Sequence, residues 1–366
     1  MARPEPLPSS GIRLAVKDLF DTAGLTTTYG SVIFADHVPD RSAEAVSRLE
    51  AAGYADVGKT NLHEFAYGTS SQNPHFGTVP NPAAPGRLAG GSSGGSAAAL
   101  AAGLADATLG SDSGGSIRIP SACCGVVGFK PTFNLVSLEG CFPLAPSFDH
   151  AGPMARSVGD CASMLEALTL DFHPESGISL DDVDVAVAWT GLAEPRVGAR
   201  VEAAAARFPR ARAVDFPLVE GIGPLFMREV ADVHRGLFPE RADDYGENVR
   251  TKLERCLAVT DGEAETARRA RESYRAAAES ALGEADLLLT PTLAMVAPPA
   301  GVDELAIRER MIQFTIPFNA LGWPALALPC GAAEDGLPAS VQLVGRAGSD
   351  ALVLAAGEAL EIQLQN

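Results

Sequence analysis

The chain has 366 residues, 46% of them apolar, enough for one large globular core rather than a disordered segment. Its net charge of −18, from 46 acids against 28 bases, argues against nucleic acid and against an anionic membrane surface as partners. Six cysteines form neither a CxxC pair nor a Cys/His metal spacing, and read as buried free thiols.

In chain order, residues 1–10 read as a Pro-rich edge or tail. The start, MARPEPLPSSG, lacks the apolar segment of a signal peptide, and no apolar run approaches membrane-spanning length. A cytoplasmic protein is expected. Leu14-Ala15-Val16 predicts a short strand leading into Lys17-Asp18. Residues 42–52 predict a helix capped by Ser42, with Ala45, Val46, Leu49 and Ala52 on one stripe. A strand is predicted at 54–57, followed by Gly58-Lys59-Thr60 and a helix over 61–67. Asn73-Pro74, Asn81-Pro82 and Pro85-Gly86 mark turns in the polar segment that follows.

Residues 90–118 hold two Gly/Ser-rich knots, Gly90-Gly91-Ser92-Ser93-Gly94-Gly95-Ser96 and Ser111-Asp112-Ser113-Gly114-Gly115-Ser116. Between them, 97–103 is small, apolar and helix-prone, and 104–109 suits a buried strand. A helix is predicted to open at Ile117 and run to Cys124. The stretch therefore reads as loop, helix, strand, loop. Glycine pairs let backbone approach a ligand closely, and free N–H groups at a helix start suit a developing negative charge. A flexible linker does not account for it, because both flanks are apolar and the second knot carries Asp112 and Arg118.

Beyond it, strands are predicted at 126–129, 183–188 and 211–216, helices at 158–168 and 201–208, and a loop at 143–153. The alternation predicts an α/β fold. Residues 219–284 lack strand signals and read as helices, the last over 263–282. Strands follow at 287–289, 325–328 and 340–344, with a closing helix over 350–362. One α/β domain spanning 1–366, with a helical insertion at about 219–284, is expected.

Several motifs compete for the chemistry. Gly53-x-x-x-x-Gly58-Lys59-Thr60 fits a phosphate-binding loop, but a helical stripe precedes Gly53 and strand-like residues fill the place of the loop. Gly90-x-Ser92-x-Gly94 fits a nucleophile elbow, which needs a strand before it and a histidine, here His150, His173 or His234. No HxxxH metal spacing occurs. The remaining chemistry pairs a serine with a lysine. A desolvated lysine is neutral near pH 7 and can take a serine proton. Only four lysines exist, and Lys17, Lys59 and Lys130 each lie beside a strand signal. Spacing does not choose among them.

The residues resemble the amidase signature family. The match rests on Gly11-Ile-Arg-Leu-Ala-Val-Lys17-Asp18, on both Gly/Ser knots, on Cys124-Gly-Val-Val-Gly-Phe-Lys-Pro-Thr132 and on Gly152-Pro-Met-Ala-Arg-Ser157, with closing strands at 287–292 and 321–346. It covers nearly the whole chain and is weakest over 171–284. The resemblance implies a central mixed, twisted sheet covered by helices on both faces. It implies an amide hydrolase with a Ser-cisSer-Lys triad acting without metal or cofactor on a small-molecule amide.

Carried over position by position, Ser116 is the nucleophile, Ser92 the bridging serine after a cis peptide at Gly91, and Lys17 the base. Ser113, Gly114, Gly115 and Ser116 would supply oxyanion-hole N–H groups, braced by Asp112 and Arg118. Ala66, Tyr67 and Gly68 are added as candidate substrate contacts. The sequence departs from the family's usual pattern in placing only 16 residues before Lys17, where relatives usually have a helical segment, in a short middle region, and in Phe133-Asn134-Leu135 after Lys130-Pro131-Thr132. A homodimer stays among the expected assemblies, although the first departure weakens one built on such helices. An amidotransferase-type subunit releasing ammonia is the alternative.

Overall fold

The computed structural model describes residues 11–175 and 177–365; the Pro-rich segment 1–10 lies outside them. Twelve strands are present among the described residues: β1 Ile12–Lys17, β2 Tyr54–Thr60, β3 Gln72–Asn73, β4 Gly77–Thr78, β5 Ala107–Asp112, β6 Val127–Lys130, β7 His150–Ala155, β8 Val185–Val187, β9 Ala211–Ala213, β10 Leu287–Pro291, β11 Ala325–Ala332 and β12 Pro338–Gly345. The helices are α1 Glu44–Ala51, α2 Gly94–Ala101, α3 Arg118–Cys124, α4 Val158–Leu168, α5 Pro195–Ala205, α6 Gly223–His234, α7 Phe238–Arg241, α8 Glu247–Leu257, α9 Asp261–Leu282, α10 Glu304–Ile312, α11 Ile316–Leu321 and α12 Asp350–Gln365.

Ten strands form one mixed sheet in the order β2-β1-β5-β7-β6-β11-β12-β10-β8-β9. Each end is a parallel trio and the middle is antiparallel. The expected α/β class with a helix-covered mixed sheet is thus the observed one. Leu14, Ala15, Val16 and Lys17 of β1 are all buried. A strand covered on both faces reads as a continuous apolar run rather than an alternation.

The helical region was legible in its long member. Thr260 Oγ1 accepts from Glu263 N at 3.3 Å, while Glu263 Oε2 accepts from Thr260 N at 2.9 Å, a reciprocal cap that starts α9. Gly283, at φ +58°, ends it.

Four local expectations need correction. Ser42 does not cap α1; its Oγ accepts from Ala23 N at 3.0 Å, and the helix starts at Glu44. The helix expected over 61–67 is a single turn at Glu64–Ala66, with Phe65 and Ala66 at positive φ. Gly58-Lys59-Thr60 continues β2, so no phosphate-binding loop forms there. The segment 143–153 holds the start of β7, which pairs along all of β5 from Ala107↔Ala155 to Asp112↔His150. Its Gly152-Pro153 pair suggests a loop, but a Cβ at Gly152 would overlap Phe129 O and Pro131, so close strand packing requires the glycine.

Candidate active site

Sheet register builds the site. In the parallel pair β1–β5, Val16 lies opposite Leu109, so Lys17 and the β5 end residues emerge together at the carboxyl edges of their strands. The first Gly/Ser knot runs into the first turn of α2, and the second joins β5 to α3. Ser93 N donates to Ser116 O at 3.1 Å and ties the two knots together. The Gly91–Ser92 peptide is cis.

Lys17 has no exposed surface. Its Nζ lies 2.7 Å from Ser92 Oγ and 2.8 Å from Ser111 Oγ. No carboxylate stands within ion-pair distance of it among the described residues. Burial pushes the ammonium down to about 7, against the opposing pull of Asp112 and Asp149.

The second knot is held from below. Burial works against ionisation of Asp112. Even so, the Arg118 guanidinium, donating to Asp112 Oδ2 at 3.0 Å and Oδ1 at 2.9 Å, keeps that carboxyl well below the usual range. Arg118 donates further to Thr315 O, Gln342 Oε1 and Asn319 Oδ1, at 2.9, 2.8 and 2.6 Å. Asn319 Nδ2 donates to Asp112 O at 2.8 Å, and Thr315 Oγ1 to Gly114 O at 2.6 Å. Gly115 sits at φ +129°, where a Cβ would run into Thr315 and Ile119.

One expectation about this loop changes. The Gly115 N–H donates to Asp112 Oδ1 at 2.7 Å and is already engaged. Among the described residues, the N–H groups of Ser113, Gly114 and Ser116 meet no protein acceptor.

Two cavities flank the knot. One of about 130 Å³ is lined by Ser111, Ser113, Cys141 and Asp149, with apolar side chains from 138 to 146. The other, about 20 Å³, brings Ser116 and Gly114 together with Ala66, Tyr67 and Gly68, and adds Phe226 and Arg308.

The competing residues have other partners. Ser93 Oγ donates to Ser111 O at 3.2 Å, and Ser96 Oγ lies 2.8 Å from Thr60 Oγ1. Lys130 Nζ donates to Pro131 O at 3.0 Å. His150 Nδ1 lies 2.7 Å from Phe148 O, His234 Nδ1 lies 3.0 Å from Tyr245 OH, and His173 is exposed, so none hydrogen-bonds a knot serine. Sequence spacing does not single out Ser111, Thr315, Asn319 or Arg308. Of these, only Ser111 follows from strand pairing, since it lies two residues after Leu109 on the strand beside Lys17.

Comparison with known proteins decides the family. The family model described as Amidase matches residues 2–186 and 200–354. The chain belongs to the amidase signature family. It is 35% identical to a glutamyl-tRNA(Gln) amidotransferase subunit from Haloarcula marismortui, covering 96% of this chain and 95% of that one. It is 34% identical to the AtzE subunit of 1-carboxybiuret hydrolase from Pseudomonas sp. strain ADP, over 98% of this chain and 86% of that protein. A crystal structure of an amidase superposes with a TM-score of 0.88 at 39% identity, covering 96% of this chain and 84% of that one. The chemistry of this amidase is hydrolysis of an amide C–N bond. No described helix is long and apolar enough to cross a membrane.

Proposed function

We propose that the chain hydrolyses a linear carboxamide through an acyl-enzyme on Ser116, with Ser92 as proton relay and Lys17 as base. The observation that carries this is the buried Lys17 amine, held between two serine hydroxyls and lacking a carboxylate partner. A neutral lysine has one lone pair and two N–H donors. It accepts the Ser92 proton while donating to Ser111, which orients it. Ser92 in turn takes the Ser116 proton as Ser116 Oγ attacks the carbonyl carbon.

The carbonyl oxygen then gains charge beside the unengaged N–H groups of Ser113, Gly114 and Ser116. Removing one such preorganised donor costs about 2.7–4 kcal/mol of transition-state stabilisation in a comparable site. Gly115 acts differently: its N–H bond to Asp112 fixes the turn that aims the others. The relayed proton passes to the leaving nitrogen, amine departs, and water resolves the ester by the same route in reverse. Phe226 of α6 lines the Ser116 pocket, which supports the helical region 219–284 as a substrate-side wall of the single domain.

Reaction with a fluorophosphonate followed by peptide mass spectrometry tests the assignment. The adduct is expected on Ser116. An adduct on Ser93 or Ser96, with Ser116 unmodified, contradicts it.

A further inference from the structure

Arg308 shares the small pocket with Ser116 and Gly114. Its side chain is only 18% exposed, and its one hydrogen bond among the described residues is a long one, 3.3 Å to Glu304 Oε1. That carboxylate is already engaged. Thr69 N and Thr69 Oγ1 donate to Oε1, each at 3.0 Å, while Lys252 and Asn248 donate to Oε2 at 3.0 and 3.2 Å.

Two cations therefore share one buried carboxylate. Neighbouring His63 adds nothing to offset them, since burial pushes its imidazole down to about 4 and leaves it neutral. The Tyr67 ring lies beneath both cations, 4.9 Å from Lys252 Nζ and 5.3 Å from Arg308 Cζ, and its hydroxyl is engaged with Cys256. Glu309 is exposed and makes no hydrogen bond to Arg308, although its charge, after that of Glu304, favours the guanidinium. The rest of the pocket lining is apolar side chains, hydroxyls and backbone, with no carboxylate.

With one long contact to a shared carboxylate, most of the Arg308 N–H donors have no acceptor among the described residues, and a largely buried donor without a partner is costly. A guanidinium with unused donors matches the two oxygens of a carboxylate. We infer that Arg308 binds a carboxylate on the acyl side of the substrate, so that the amide is a short carboxamide carrying a negative charge. This rests on the reading of Ser116 as nucleophile. The net charge of −18 does not prevent it, because exposed charges are screened within about 8 Å at physiological salt, whereas a buried contact is screened far less.

The test compares matched amides by ammonia release: succinamate against butyramide, and glutaramate against valeramide. Each pair differs by a carboxylate in place of a methyl group. Wild type is expected to favour the charged member by about 100-fold in kcat/KM, the scale of one charge-assisted pair lost in a buried site. In Arg308→Met the ratio should fall toward one, with Arg308→Lys between. Equal or better use of the neutral amides by wild type overturns the inference, as does an equal loss on both members in Arg308→Met. If Arg308→Met fails to fold, Arg308→Gln and the wild-type ratio still decide.

Fluorophosphonate labelling separates the two levels of failure. Ser116 labelled and neutral amides turned over without preference would sink this inference alone. If neither labelling nor turnover occurs, the nucleophile reading falls. Glutarate binding by calorimetry then still tests Arg308: binding to wild type and not to Arg308→Met supports the carboxylate site, and equal binding or none overturns it.

Discussion

Lys17 and Lys59 stand one rung apart on neighbouring parallel strands, with Val16 opposite Lys59 and Lys17 opposite Thr60. That single step puts them on opposite faces of the sheet, because side chains alternate along a strand. Lys17 and Thr60 face α2 and the serine knots; Thr60 Oγ1 meets Ser96 Oγ at 2.8 Å there. Lys59 faces the loop after β1. Its Nζ donates to Phe20 O, to Thr22 Oγ1 at 3.0 Å and to Thr27 Oγ1 at 3.2 Å, with Asp18 Oδ1 at 3.5 Å. Burial lowers the pKa of both amines, but Asp18 opposes it at Lys59 by favouring the ammonium. Under the proposed mechanism, what separates the two buried strand-end lysines is the carboxylate: hydroxyls flank both amines, and only Lys59 has Asp18 beside it.

Activity separates the two lysines most strongly. Lys17→Ala and Ser116→Ala should each lower kcat by about 10³-fold or more, the scale of losing a triad member. Ser92→Ala should follow at about 10²-fold or more, since the general-base route to Ser116 is cut. Ser111→Ala keeps the base but loses one of its two anchors, so about tenfold is expected. Steady-state amide turnover on folded variants checks the order. Wild-type activity for Ser92→Ala would mean that Lys17 serves Ser116 without the relay.

Lys59→Met should act on stability instead. It leaves the buried Asp18 carboxylate without its cation, a change of about 3 kcal/mol in denaturant unfolding. Turnover per folded molecule and its pH profile should persist, and ATP should not protect the protein against heat. Loss of turnover in the folded variant would place Lys59 in the chemistry.

A smaller effect separates Lys17 through pH. With its folded pKa lowered to about 7 and its unfolded value near 10.4, the unfolded chain binds the extra proton between those limits. Stability contributed by Lys17 therefore rises with pH across that window. Lys130 and Lys252 are lowered too and add slopes of the same sign. The wild-type slope minus that of Lys17→Met isolates the one group, and a difference of zero would contradict its depressed pKa.

Much of this was legible in the chain. The continuous apolar run of β1, the reciprocal cap of α9 and the paired Gly/Ser knots each have a local cause that spacing reveals. What escaped the reading is set by tertiary contact. Pro153 sits in a central strand beside Leu109 although it has no N–H to give, and only the pairing of β7 with β5 makes sense of it. Thr315 and Asn319 reach the second knot from some 200 residues away, through bonds to Gly114 and Asp112 that no local pattern announces. Arg308 is one of many arginines by composition, and its distinction is the carboxylate it must share with Lys252. Nor does spacing separate the Gly115 N–H from its neighbours; its bond to Asp112 does.

The proposed mechanism requires Lys17 to be a neutral amine at the pH where the protein works. With four lysines in the chain, each ε-carbon can be followed as its own resonance after labelling with lysine carrying ¹³C at Cε. Lys17→Met assigns the peak by its disappearance. In the Ser116→Ala protein the Lys17 signal should titrate near 7, while the acid limb of wild-type kcat/KM rises through the same value. A Lys17 signal that stays charged until about pH 10, the ordinary lysine range, would contradict the account.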